Sequence, residues 1–233
     1  MIDLEREAGG VALLRMARPP VNALDLELVR AITRGVAAVT ESDACAVVLT
    51  GDGSCFSAGI DTKVAPTYDA HQRRDAINAI NELVATICST PLPVVAAING
   101  HAMGGGLVIA LACDLRVAAR GEHKLALNEV VAGVPFPAGP LAVVRAELDP
   151  SVMRDLCLTG RAVGPDEALA LHVVDEVLDA PDLLDRARRR ALELGAFPAY
   201  ELVKAQVRGP LIAELQQIAS TDDPLITGGE GRA

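Results

Sequence analysis

Apolar residues along this chain follow two patterns. Short continuous runs at residues 11–16, 46–50, 94–98, 115–119 and 124–127 are bounded by Gly, Pro, Asn or Asp, the signature of buried strands. Between them the spacing becomes helical. Leu26, Val29, Ile32, Val36 and Val39 predict an amphipathic helix over 25–40, with Asp25 as its N-cap. Ile77, Ile80, Leu83, Val84 and Ile87 predict a longer one over 69–89, whose polar start (His71, Arg73, Arg74, Asp75) suits an exposed rim or lid. Residues 128–137 read as a loop and a bend. Helices are then expected at 142–147, 151–159 and 165–170, followed by a short extended piece at 173–177. A charged helix at 181–195 carries Arg186, Arg188, Arg189 and Arg190, and a last helix at 199–217 is expected to break at Gly209-Pro210. The glycine-rich tail, 227–233, is expected to lack structure. No repeat and no linker divides the chain before about residue 180.

One stretch stands out because residues 90–113 carry no formal charge. Its first half, 94–98, is a strand closed by Asn99-Gly100, and Gly104-Gly105-Gly106 then opens a second apolar run expected to be helical. A membrane span is argued against by Pro91, Pro93, the Asn99-Gly100-His101 interruption and the three glycines, with no basic flank. A phosphate loop would need Gly-Lys-Ser/Thr, and Leu107-Val108 stands there instead. Two readings stay open on local residues alone. The glycines either allow close helix–strand packing or expose the first amides of a helix to a developing negative charge. The segment 55–61, also apolar and punctuated by small residues after a buried strand, is read as a ligand-facing loop or a plain turn.

Composition narrows the class. A net charge of −10 argues against nucleic-acid binding. It also means that an anionic substrate has to be met by local basic residues and amides. Mean hydropathy of +0.31 without a membrane span points to further burial at a subunit interface. Cys45, Cys55, Cys88, Cys113 and Cys157 are odd in number and widely spaced, so they read as reduced thiols of a cytoplasmic protein, with neither disulfides nor a metal site. The acidic N-terminus does not resemble a signal peptide. Cys55 occupies the first position where a Gly-x-Ser-x-Gly elbow would need glycine, which argues against a serine hydrolase.

Two motifs in this order resemble the crotonase (enoyl-CoA hydratase/isomerase) superfamily. They are Phe56-Ser57-Ala58-Gly59-Ile60-Asp61 and Asn99-Gly100-His101-Ala102-Met103-Gly104-Gly105-Gly106, the latter followed by Ala112-Cys113-Asp114. Pro20-Val21-Asn22-Ala23-Leu24 and Leu158-Thr159-Gly160-Arg161 fit around them, and the match extends to about Lys204. The resemblance implies an α/β spiral of ββα repeats over residues 1–180, then a helical C-terminal region over 181–233 used in assembly as a homotrimer or hexamer. It implies an acyl-CoA substrate, with coenzyme A as part of the substrate and no separate cofactor. It also implies a thioester oxygen held by the Ala58 and Gly105 amides. Ser57, Ile60 and Asp61 would lie near the adenine, and Gly104, Val108 and Phe136 would help bind substrate.

The acid–base residues depart from the family pattern. Family hydratases carry one glutamate just after the glycines, where this chain has Val108, and a second one matched here by Glu129. Two carboxylates suit the addition of water to an enoyl thioester. One suits carriage of a proton between two carbons, with Val108 as part of an apolar wall. The expected activity is therefore double-bond isomerisation through Glu129. A hydratase using a backbone-held water and a non-catalytic acyl-CoA binder are the alternatives. His101 and Asp61 read as structural, and Asp114 as holding backbone after the helix.

Overall fold

The computed structural model describes residues 1–6 and 9–227, so most of the glycine-rich tail expected to lack structure lies outside the described residues. β1 (Ile2–Arg6) pairs antiparallel with β2 (Val11–Met16), an edge that the acidic N-terminal sequence did not announce. After α1 (Leu26–Thr40) the chain repeats one unit. β3 (Ala46–Gly51), β4 (Cys55–Ser57) and α2 (Ala70–Ser89) form the first copy. β5 (Val94–Ile98), β6 (His101–Met103) and α3 (Gly105–Ala112) form the next. β7 (Leu115–Ala119), β8 (Leu125–Ala126) and the single turn α4 (Glu129–Ala132) form the last. The first strand of each unit joins a large sheet ordered β1-β2-β3-β5-β7-β9, whose last strand is Glu176–Leu178. The second strand joins a small sheet ordered β4-β6-β8. This is the ββα spiral that the motifs implied.

The large sheet is parallel except for β1 and is buried on both faces, which is why its strands read as unbroken apolar runs. The two-residue period is hidden inside those runs. Val47, Leu49, Val94, Ala96 and Ile98 enter the main core with α1 and α2, whereas Ala46, Val48, Val95 and Ala97 enter a second cluster. Leu183, Ala187 and Ala191 of α8 (Leu183–Gly195) cover that second face at helical spacing. Both long N-terminal helices are capped, the first by Asp25 as expected. Asp25 accepts the Leu28 amide at 2.8 Å, and Asp69 and Gln72 form a reciprocal capping box.

The C-terminal half holds the corrections. Residues 128–137 contain the turn α4. α5 (Ala138–Glu147) begins four residues earlier than its periodicity suggests, while α6 (Pro150–Thr159) and α7 (Pro165–Ala170) fall as expected. Val173 and Val174 are buried turn residues, so β9 starts only at Glu176. The last long helix, α9 (Tyr200–Ala219), runs unbroken through Gly209-Pro210. Interior proline costs a helix about 3 kcal/mol, but here both flanks are anchored. Lys204 and Arg208 bind Asp114 at 2.7 and 2.8 Å before the proline, and Leu211 and Leu215 are buried after it. A final turn, α10 (Pro224–Thr227), returns to the start of α5 and the side of α2. Among the described residues no helix is long and apolar enough to cross a membrane.

Candidate active site

The connection 18–25 is stitched to the loop after β4. Asn22 sits at φ +51°, a left-handed conformation that Asn tolerates, and its Nδ2 donates to the Asp52 and Cys55 carbonyls at 3.0 and 2.8 Å. Ser57 Oγ donates back to Asn22 O at 2.7 Å and accepts the Gly59 amide. The Arg18 guanidinium bridges Asp25 and Asp61 at 3.0 and 2.8 Å, which fixes both ends of the connection against the loop. Burial pushes the Asp61 carboxyl up, but the Lys63 and Val64 amides and Arg18 together outweigh it and hold it below the usual range.

These contacts correct the expected pair of oxygen-binding amides. Ala58 N–H donates to Val21 O at 2.9 Å, so it is already committed. Leu24 N–H donates to Gly59 O and Asp61 N–H to Leu24 O, a parallel bridge that flanks Ile60. In such a bridge the central residue turns its own N–H to the opposite side, here the side of β6. Among the described residues Ile60 N–H has no acceptor, and neither does Gly105 N–H in the first turn of α3. Gly59 brings the two loops together. At φ +77° a Cβ there would lie 2.4 Å from Met103 O and 3.2 Å from Gly105 N. Gly59→Ala is therefore expected to shift the loop and lower turnover at least about 100-fold, the scale of losing one oxyanion donor. Steady-state kinetics alongside a melting curve check this. A variant with wild-type rate would show that the approach of the loops is dispensable.

Glu129, first residue of α4, lies over this junction. One carboxylate oxygen is 3.4 Å from where a Cβ on Gly104 would be, and Gly104 itself turns at φ +50°. The side chain is buried, and Oε2 has no hydrogen-bond partner. Burial raises its pKa to about 7, opposed only by its own amide. A carboxylate so tuned takes up and releases protons near neutrality.

Gly105, Ile60 and Glu129 share an apolar cavity of about 510 Å³. Its walls come from segments far apart in the chain. Leu24 precedes the cap of α1 and Val29 lies in its first turn, Ile77 and Ile80 belong to α2, Pro137 and Pro140 to the start of α5, and Leu225 to α10. The sequence marked the 71–75 region as a rim, and Arg73 does line the opening. Leu24 and Leu225 carried no such signal. Asp25, the other carboxylate on the lining, already caps α1 and pairs with Arg18.

Several expected binding residues are placed elsewhere. Ser57 is fully buried and ties backbone together, so it is not available to an adenine. Asp61 serves the Arg18 clamp and the following turn. Val108 is fully buried in the main core and does not reach the cavity surface, since the helix turns that face inward. Phe136 packs against the core between the lining prolines Pro135 and Pro137. Gly104 acts as the platform under Glu129. His101 is structural as expected, its Nδ1 accepting the Lys124 amide.

Comparison with known proteins agrees with this geometry. Residues 6–226 match the Enoyl-CoA hydratase/isomerase family. A probable enoyl-CoA hydratase of Mycobacterium tuberculosis is 35% identical over 203 residues, covering 84% of this chain and 76% of the relative. The crystal structure of another probable enoyl-CoA hydratase from that organism superposes with a TM-score of 0.89 at 25% identity, covering 99% of this chain and 96% of the other. Human mitochondrial delta3-delta2-enoyl-CoA isomerase superposes with a TM-score of 0.87 at 26% identity, covering 98% and 93%. The two glycine-bearing loops, the ββα spiral and these likenesses agree, and the chain belongs to the enoyl-CoA hydratase/isomerase family of enzymes.

Proposed function

We propose that this enzyme isomerises 3-enoyl-CoA to 2-enoyl-CoA thioesters with Glu129 as its single acid–base residue. One observation carries the reading. Glu129 is the only carboxylate on the described cavity lining that no cation or cap engages, and the position that holds a second glutamate in family hydratases is the buried Val108. The thioester oxygen would sit between the Ile60 and Gly105 amides. Ionised Glu129 takes a proton from C2, and the electron pair moves through the thioester to its oxygen, where the two donors stabilise the dienolate. Glu129, now protonated, returns the proton at C4, and the double bond ends between C2 and C3. Coenzyme A enters as part of the substrate, and no step calls for another cofactor.

A second reading is hydration of a 2-enoyl-CoA, favoured by the name of the Mycobacterium tuberculosis relative that is 35% identical. Purified enzyme incubated with a 3-enoyl-CoA and separately with a 2-enoyl-CoA, with products followed by NMR in deuterated buffer, separates the two. Isomerisation gives the conjugated product from the 3-enoyl substrate, with the C2 hydrogen carried to C4 and deuterium entering C4 only to the extent that protonated Glu129 exchanges with solvent. Rapid 3-hydroxyacyl product from the 2-enoyl substrate would overturn the isomerase reading. The pH profile is a further check. The base form is the active one, so kcat/KM should rise with pH through a midpoint near 7 and then level off. A profile flat from pH 5.5 to 8.5 would remove Glu129 from that role.

Assembly follows from the exposed apolar side chains of the α8–α9 region. Phe197, Leu202, Val203 and Val207 are each about half or more exposed, and we infer that the trimer or hexamer expected from the family forms through them. A monomer by light scattering at micromolar concentration would contradict this.

A further inference from the structure

We propose that Leu225 sets the length of acyl chain the cavity accepts, and that a buried Asn81–Asp223 clasp positions it. The inference rests on the thioester reading of the cavity. Ile60, Gly105 and Glu129 form the reacting end. Residues around the start of α1 and the 65–68 turn supply part of the apolar remainder, and α2, α5 and α10 supply the rest. Helices α2, α5 and α10 meet at one buried polar cluster. Asp223 and Asn81 are each 1% exposed. Asp223 Oδ2 accepts Asn81 Nδ2 at 2.9 Å and the Ala138 amide at 2.7 Å, and its Oδ1 accepts the Leu225 amide at 2.9 Å. Asn81 Oδ1 in turn accepts the Gly139 amide at 2.9 Å.

Asp223 thereby caps α5 from outside that helix, whose own N-cap residue is a proline and offers no side chain to its free amides. A second tie lies on the same side of α2, where Asp222 accepts from Arg74 and Asn78. The clasp residues 74, 78 and 81 alternate along α2 with the lining residues Arg73, Ile77 and Ile80, so fixing one set orients the other. A buried carboxylate with three amide donors is costly to leave half-made, so the segment after α9 is held in one position. Leu225, two residues beyond the clasp and only partly buried, is the side chain this segment offers to the cavity. The residues that α2 and α5 add to this wall are mostly apolar (Ala76, Ile77, Ile80, Pro137 and Pro140), so the group it meets is an alkyl chain.

The test compares Leu225→Ala and Leu225→Trp with the wild type on 3-enoyl-CoA thioesters of increasing chain length. kcat/KM is measured at each length, and binding of the matching saturated acyl-CoA is measured by calorimetry. Removing the side chain should move the optimum to longer chains, and enlarging it should move the optimum to shorter ones. The ratio between long and short substrates should change about tenfold, the scale at which a hydrophobic pocket discriminates methylenes. Asp223→Ala should broaden the preference in the same direction as Leu225→Ala, a change that a general loss of stability does not produce. Unchanged length preference in both Leu225 variants, with the wild type active, overturns the inference alone. Absence of acyl-CoA binding at every length, in the wild type as well, overturns the thioester reading and this inference with it.

Discussion

Glu129→Gln is expected to lower turnover by about 10²–10⁴ while making the protein more stable. The loss follows from removing the one unengaged carboxylate on the described cavity lining, beside the two amides proposed to hold the thioester oxygen. The gain follows from linkage. The folded carboxyl titrates near 7 against 4.5 when unfolded, so the native state holds the proton more tightly. Stability therefore falls as pH rises from about 4.5 to about 7 and is flat above that. Ionising the buried group costs about 3 kcal/mol at pH 8 by that difference. Glutamine escapes the charge but keeps a buried amide to satisfy, so a net gain of about 1–2 kcal/mol is expected at pH 8. Denaturant unfolding at pH 5 and pH 8 reads the slope, which should disappear in the variant. Turnover within threefold of wild type would remove Glu129 from the mechanism, and an unchanged pH slope would mean that water reaches the carboxylate.

Asp114→Ala should have the largest effect on folding, about 3–5 kcal/mol. Asp114 closes the central uncharged stretch and was expected only to hold backbone, which it does by accepting the Val94 amide at 2.8 Å. It is also the hub of a buried ionic cluster. Lys204 and Arg208 from α9 both bind it, Arg208 reaches on to Glu147 at 2.6 Å, and Glu147 reaches Arg116 at 3.0 Å. Burial pulls the Lys204 ammonium below its ordinary range even against the pull of Asp114. Without Asp114 a buried lysine has only the Leu92 carbonyl at 3.0 Å. The loss should concentrate in α9, visible as faster amide exchange across Tyr200–Ala219 than across β3 or β5. A loss under 1 kcal/mol would mean that solvent screens the cluster.

The sequence by itself determined strands β2, β3, β5, β7 and β8, the main helices and the two loops that make the site, but not the edge strand β1 or the short strands β4 and β6. The elements it determined depend on local matters: apolar periodicity, the cap at Asp25, and glycines where backbones must touch. It also singled out Glu129, because a carboxylate in the right motif position is a local fact. Tertiary structure decided what each group is free to do. Ala58 and Ile60 are two residues apart in one loop, yet Val21 takes the amide of the first and leaves that of the second unclaimed. Val108 shares the helix that begins at Gly105 but faces the core, and Phe136 turns inward between two prolines that line the cavity. Pro210 breaks no helix because ion pairs and buried leucines hold both sides of it. Leu225 becomes part of a wall only because Asp223 finds Asn81 and the start of α5. Each of these outcomes depends on a hydrogen bond, ion pair or packed face contributed by a distant segment, and local propensity does not encode such partners.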